Sequence, residues 1–306
     1  MKNDGAVRIV EVGPRDGLQN ESVTIPTEVK VAFVEALAKC GAAEIEVGAF
    51  VSPRRIPQLA DSDEVFLRIR REPGILYSAL VPNSVGLERA LEVGVDKVSI
   101  FTAASETFNL KNINVTIAGS MKRFQPVVDD ARAAGLPVRG YVSTAFHCPY
   151  EGRVAPDAVV TVVEQLLELG VDEISLGDTI GKASPEDVKH CLDAVLKVAP
   201  VAKIALHFHD TYGMAVANSI AAALGYDIAT FDAAAGGLGG CPYAPGATGN
   251  VATEDLVYAF KSMGIPTGVN LDGIVSAVSR IVDYLGRPIA SHLGRVFLTR
   301  GAVGSR

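Results

Sequence analysis

The 306-residue sequence predicts a (β/α)8 TIM barrel, an α/β fold. Three observations carry that reading. Short β-branched apolar runs alternate with longer amphipathic stretches from one end to the other, eight such runs can be counted, and the residues able to do chemistry fall at or just after the ends of those runs.

The runs read as parallel strands buried on both faces, because they are continuously apolar rather than alternating. They are VRIVEV (7–12), EIEVGAF (44–50), ILYSALV (75–81), DKVSIFT (96–102), PVRGYVST (137–144), DEISLGD (172–178), KIALHFHD (203–210) and IATFDAA (228–234). Helices are expected between them. PTEVKVAFVEALAKCG has Pro26 and Thr27 near its start and Gly41 at its end, and SPEDVKHCLDAVLKVAP is a second helix candidate. The segments LEVGVDKVSI, AAGLPVRGYV and LELGVDEISL repeat one grammar, a helix closing on glycine before a short turn feeds the next strand. An open doubly wound sheet is the competing arrangement, but it would place a G-x-G-x-x-G turn after an early strand, and the first strand here runs into GPRDGLQN. A single barrel domain over 1–306 is expected, with 253–306 as additional C-terminal helices and tail.

Composition narrows the function. A hydrophobic content of 48% supports a large core, and a net charge of −7 without any long Lys/Arg stripe argues against nucleic acid as a partner. The four cysteines, Cys40, Cys148, Cys191 and Cys241, have no C-x-x-C spacing, so neither a zinc knuckle nor a disulfide framework is indicated. The opening MKNDGAVRIVEV has no apolar leader and no stretch is long enough to span a membrane, so a cytoplasmic protein with no membrane partner is expected.

In a barrel of this kind catalysis sits at the C-terminal ends of the strands. Arg15 and Asp16 follow the first strand, Glu46 stands at the end of the second, Asp178 ends the sixth, and His207 and His209 end the seventh. The Gly-rich stretch GGLGGCPYAPGATGN follows the eighth and closes on Asn250. Strands seven, eight and one are neighbours once the barrel closes, so Asp16, His207, His209 and Asn250 are expected to converge. Each has a plainer explanation alone: PRDG is good turn chemistry, an Arg beside an Asp is commonly a surface ion pair, and two histidines on a strand can be packing. Position at one rim favours a metal. One carboxylate, two imidazoles and one amide would leave a divalent ion with open coordination positions and an attraction for an anionic, chelating substrate; Mn2+, Mg2+ or Co2+ would suit such a set. Cys241, inside the glycine-rich loop over that centre, is the cysteine expected to react. Two histidines and a carboxylate also describe the iron(II) facial triad of oxygenases, but the hosts of that triad are usually all-β.

The segments EVGPRDGLQNE, EVGAFVSP, SETFNLKNIN, STAFHCPYEG, SLGDTIGKASP, HFHDTYGMAVAN and GGLGGCPYAPGATGNVATEDL together resemble the 3-hydroxy-3-methylglutaryl-CoA lyase family, over most of the chain. The resemblance implies a metal held by Asp16, His207, His209 and Asn250, and catalytic roles for Arg15, Glu46, Asp178 and Cys241; removal of a hydroxyl proton in such a reaction leaves His207 or Asp178 as the base. It further implies retro-Claisen cleavage of an acyl-CoA thioester to acetoacetate and acetyl-CoA with Mg2+ or Mn2+, and a CoA contact at Asn112; barrels of this kind often pair, so a homo-oligomer, a dimer, is expected. Where such lyases often read EVTSF or EVSSF, this chain reads EVGAF. Loss of two hydroxyls at Gly48 and Ala49 is expected to widen the pocket, as for a longer 3-hydroxy-3-alkylglutaryl-CoA of isohexenyl type. A 2-oxo-acid aldolase of the same barrel group is the other alternative.

Overall fold

A computed structural model describes residues 5–240 and 249–303. Eight parallel strands close into a barrel in the order β1-β10-β9-β8-β5-β4-β3-β2. In chain order the strands are β1 (Arg8–Glu11), β2 (Glu44–Ala49), β3 (Leu76–Leu80), β4 (Lys97–Ala103), β5 (Val138–Ser143), β6 (His147–Cys148), β7 (Gly152–Arg153), β8 (Glu173–Asp178), β9 (Ile204–Phe208) and β10 (Thr230–Ala233). The expected runs and the barrel strands agree to within one or two residues at most ends. β6 and β7 form a separate two-residue antiparallel ribbon above β5 that no periodicity in the sequence announces.

The helices are α1 (Thr27–Ala38), α2 (Ser62–Arg68), α3 (Ser84–Glu92), α4 (Glu106–Ile113), α5 (Ile117–Ala133), α6 (Pro156–Leu169), α7 (Pro185–Val195), α8 (Ala215–Tyr226), α9 (Thr253–Ser262), α10 (Leu271–Ser279), α11 (Val282–Leu285) and α12 (His292–Val303). Their starts follow local chemistry. Ser184 caps α7 in a reciprocal capping box with Asp187, and Asn83, Ser105, Thr116 and Asn270 each accept a backbone N–H at the start of α3, α4, α5 and α10. Thr253–Ser262 follows the eighth barrel strand and packs beside α8, so it completes the helical ring, while α10 lies against both α9 and α1. Among the described residues no helix is long and apolar enough to cross a membrane.

The barrel interior is not wholly apolar. Below the site, Lys97 lies between Glu44 (2.8 Å) and Glu173 (2.6 Å), Arg8 also reaches Glu173 (2.6 Å), and Arg139, among the largest fully buried side chains, pairs with Glu173 and Asp232. These partners come from β1, β2, β4, β5, β8 and β10, so the network can form only when the ring closes. Removing one member leaves a buried charge uncompensated, which is far costlier than the pair was stabilising. Lys97→Met is therefore expected to lower unfolding free energy by about 3 kcal/mol in urea titration; a loss under about 1 kcal/mol would show the network to be energetically idle.

Candidate metal centre and active site

At the end of β1 the chain enters a π-helical turn, Gly13–Gly17, in which Gly17 N–H bonds to Val12 C=O at 3.1 Å. This single wide turn presents Arg15 and Asp16 to the barrel mouth. Gly17 is required by contact: a Cβ there would stand 2.8 Å from Leu238 Cβ. The buried Glu11 carboxylate staples the turn to its neighbours, accepting Gly13 N–H (2.8 Å), Ala235 N–H (2.9 Å) and the Thr253 hydroxyl (2.6 Å).

His207 arrives on β9, and His209, one residue past the end of that strand, follows two positions along on the same face. Asn250 is brought to them by backbone pairing. Asp210 N–H bonds to Gly249 C=O (2.8 Å) and Val251 N–H to Phe208 C=O (3.0 Å), so the chain returning from the glycine-rich loop lies along the end of β9. Gly249, at φ +97°, lets it pass against Gly239, where a Cβ would meet backbone at 2.6 Å.

Asp16, His207, His209 and Asn250 meet there. One oxygen of Asp16, Oδ2, is 3.8 Å from His207 Nε2, 3.7 Å from His209 Nε2 and accepts Asn250 Nδ2–H at 3.0 Å. The nearest ligand atoms of Asp16, His207 and His209 all lie within 4.8 Å of one another. Those separations are too long for direct hydrogen bonds from the imidazoles, and they match donors placed around a shared cation about 2.0–2.2 Å from each. Asn250 Oδ1 is buried without a partner among the described residues, a further oxygen donor for a hard divalent ion. The donor set fits a divalent cation.

Arg15 is buried beside this centre. Its NH1 donates to Asp16 Oδ1 (2.6 Å), while Nε and NH2 both reach Glu46 Oε2 (2.5 Å). Burial opposes ionisation of Asp16, but the Arg15 guanidinium and the two histidines outweigh it and hold the carboxyl well below the usual carboxylate range. Glu46 is fully buried on β2 and also accepts the Tyr141 hydroxyl at 3.2 Å. Tyr141 in turn stands edge-on to His207, with ring centroids 6.0 Å apart.

A cavity of about 900 Å3 opens from this point. Arg15, Asp16, Tyr141, His207 and His209 line its polar end; Ile56, Leu80, Phe101 and Phe124 line an apolar wall; Asn112, on α4, lines it as well. Asp178 is placed differently. Its carboxylate accepts the backbone N–H groups of Lys182 (3.1 Å) and Ala183 (2.9 Å), and it does not line the cavity. Burial raises it to about 6. Cys241 lies outside the described residues. Cys40, Cys148 and Cys191 are buried, with Cys148 Sγ 3.0 Å from Ser105 Oγ.

At Gly48 the small residue opens no space toward the cavity. Gly48 turns toward α2, where a Cβ would lie 2.6 Å from Ser62 Oγ, and that serine hydroxyl accepts Ala49 N–H at 3.1 Å. Neither Gly48 nor Ala49 lines the cavity; the Ser62 hydroxyl stands behind the strand at Gly48, while Ala49 packs with Leu80 and Tyr141 of the cavity wall. Tyr141, Arg139 and Asp232 were not singled out from the sequence. A lone acid or base inside an otherwise apolar parallel strand was the available signal for Arg139 and Asp232.

The sequence pattern of the HMGL-like family matches residues 6–282. The chain belongs to the HMGL-like family. It is 50% identical over 289 residues to the mitochondrial hydroxymethylglutaryl-CoA lyase of Rattus norvegicus, an alignment covering 94% of this chain and 89% of that protein. The crystal structure of the Bacillus subtilis HMG-CoA lyase superposes with a TM-score of 0.94 at 49% identity, covering 96% of this chain and 98% of that one. An HMG-CoA lyase from Acinetobacter baumannii, solved with coenzyme A and 3-methylmalate, gives a TM-score of 0.90 at 40% identity, over 96% and 95% of the two chains. The turn at Gly13–Gly17 is stapled by Glu11, whose carboxyl burial raises to about 7. A folded-state value above the unfolded one means the proton is held more tightly in the folded chain, so that contribution is fully present below the ordinary carboxylate range and is lost as pH rises through about 7. Glu11→Gln is expected to flatten the fall of stability between pH ~5 and ~8, by about 1.4 kcal/mol per unit of displacement, in denaturant titrations across pH; an unchanged slope would contradict it.

Proposed function

We propose that the chain is a divalent-metal-dependent carbon–carbon lyase that cleaves 3-hydroxy-3-methylglutaryl-CoA to acetoacetate and acetyl-CoA in the cytoplasm, with Mg2+ or Mn2+ as its ion. The observation that carries this reading is Asp16 Oδ2 standing 3.7–3.8 Å from both imidazole Nε2 atoms while Arg15 grips the other oxygen of the same carboxylate. Held by Asp16, His207, His209 and Asn250, a divalent cation supplies Lewis-acid polarisation to hydroxyl and carboxylate oxygens.

The remaining chemistry belongs to the side chains. Breaking the C2–C3 bond removes the proton of the tertiary hydroxyl and leaves a thioester enolate, so positive charge is needed where the enolate oxygen forms. Arg15 is the buried cation at the cavity's polar end, and Glu46 fixes its plane through Nε and NH2, leaving NH1 on the cavity side with Asp16. Of the two expected bases, His207 presents Nε2 to the cavity, whereas the Asp178 carboxylate is occupied by the Lys182 and Ala183 amides. With Nδ1 facing Asp232, His207 has one lone pair, at Nε2, which can serve either the cation or the hydroxyl proton but not both at once, and Asp178 holds the loop after β8. Cys241 is assigned the return of a proton to the acetyl-CoA carbon. The cavity's apolar wall and Asn112 receive the thioester arm.

Purified protein with Mg2+ or Mn2+ is expected to release acetyl-CoA and acetoacetate in equal amounts from the methyl substrate and to lose turnover in EDTA; no release would overturn the assignment. Arg15→Lys keeps the charge but cannot hold Glu46 and Asp16 together, so kcat is expected to fall by about 10²–10³ with little change in KM.

A further inference from the structure

The geometry points to Asp232 as the positioning residue that sets which ring nitrogen of His207 carries the proton. Asp232 sits on β10 directly across the parallel ladder from His207 on β9. Its side chain is wholly buried. Oδ2 is 3.1 Å from His207 Nδ1 and accepts the Ser175 hydroxyl at 3.0 Å, while Oδ1 accepts Arg139 NH2 at 2.7 Å. Groups from β5, β8 and β9 thus pin one carboxylate on three sides, and it cannot swing away from the imidazole.

An ionised carboxylate only accepts hydrogen bonds, so the nitrogen facing it must be the donor. Nδ1 of His207 then carries the proton, and Nε2 keeps its lone pair toward Asp16 Oδ2. In water a neutral imidazole prefers the opposite tautomer; the buried Asp232 reverses that preference. His209 has no such backing, since its Nδ1 is buried without a partner among the described residues. The two imidazoles are therefore unequal: one is delivered with its lone pair preset, and the other must select its tautomer when it binds. The inference rests on the metal reading of the site, because a preset lone pair at Nε2 matters most to a cation there, where a carboxylate behind a ligating histidine typically contributes 10–100-fold in affinity.

The chain has only five histidines, so selective 15N labelling and long-range 1H–15N correlation resolve them, with His207→Gln assigning the signal. In metal-free protein at mildly alkaline pH, His207 is expected to be protonated on Nδ1, and Asp232→Asn to shift it toward the Nε2-protonated form. Binding of Mn2+ alone, followed by the paramagnetic resonance of the free ion, is expected to weaken about 10–100-fold in Asp232→Asn and less in Ser175→Ala, which removes one support and leaves the carboxylate. Nε2 protonation in the wild type, or wild-type Mn2+ affinity in a folded Asp232→Asn protein, would overturn the proposal. Should Asp232→Asn fail to fold, the wild-type tautomer and the Ser175→Ala affinity decide it. Absence of Mn2+ binding by a wild type protonated on Nδ1 would overturn the metal reading while supporting the assignment of Asp232.

Discussion

One carboxylate holds the two halves of the site together. Asp16 receives Arg15 on one oxygen, and its other oxygen faces both histidines and Asn250. Those four partners come from the turn after β1, from the end of β9 and from the segment after β10, which become neighbours only because β1 pairs with β10 and β10 with β9. The closed ring is therefore a condition of the chemistry. Burial alone would tend to neutralise Asp16, and the surrounding positive and donor groups keep it ionised.

Behind this carboxylate a chain of polar contacts runs through the barrel interior. Arg15 leads to Glu46, Glu46 to the Tyr141 hydroxyl, Tyr141 to Arg139, and Arg139 to Asp232 and so to His207. The Arg15 guanidinium and the His207 imidazole are thus braced by one continuous set of buried groups. Such networks stabilise when every member is satisfied and become costly when one is lost. Here they also fix side-chain planes: Glu46 sets the guanidinium, and Asp232 sets the imidazole. A barrel core of branched hydrocarbons could fill the same space but could orient neither.

Much of this was legible in the sequence, for identifiable reasons. Parallel strands buried on both faces leave continuous apolar runs, so all eight were visible with their ends, and the polar residues just beyond them stood out against those runs. The π-helical turn was not legible, because five residues carrying Pro14, Asp16 and two glycines fit several turns equally well. The ribbon of β6 and β7 is too short to have a period. The interior ion pairs join residues as far apart as Arg8 and Glu173, 165 positions along the chain, and no local pattern reports such a partnership. Gly48 shows the opposite failure. Its lack of a side chain suggested room in the pocket, but that position faces Ser62 of α2 on the far side of the strand.

The central claim is that distant segments assemble one cation site around Asp16. Crystals soaked in Mn2+ and measured at the manganese absorption edge test it directly. A single strong anomalous peak is expected within about 2.5 Å of an Asp16 carboxylate oxygen, both imidazole Nε2 atoms and Asn250 Oδ1. Full soaking with no peak among these four side chains, or with the ion held elsewhere, would contradict the account.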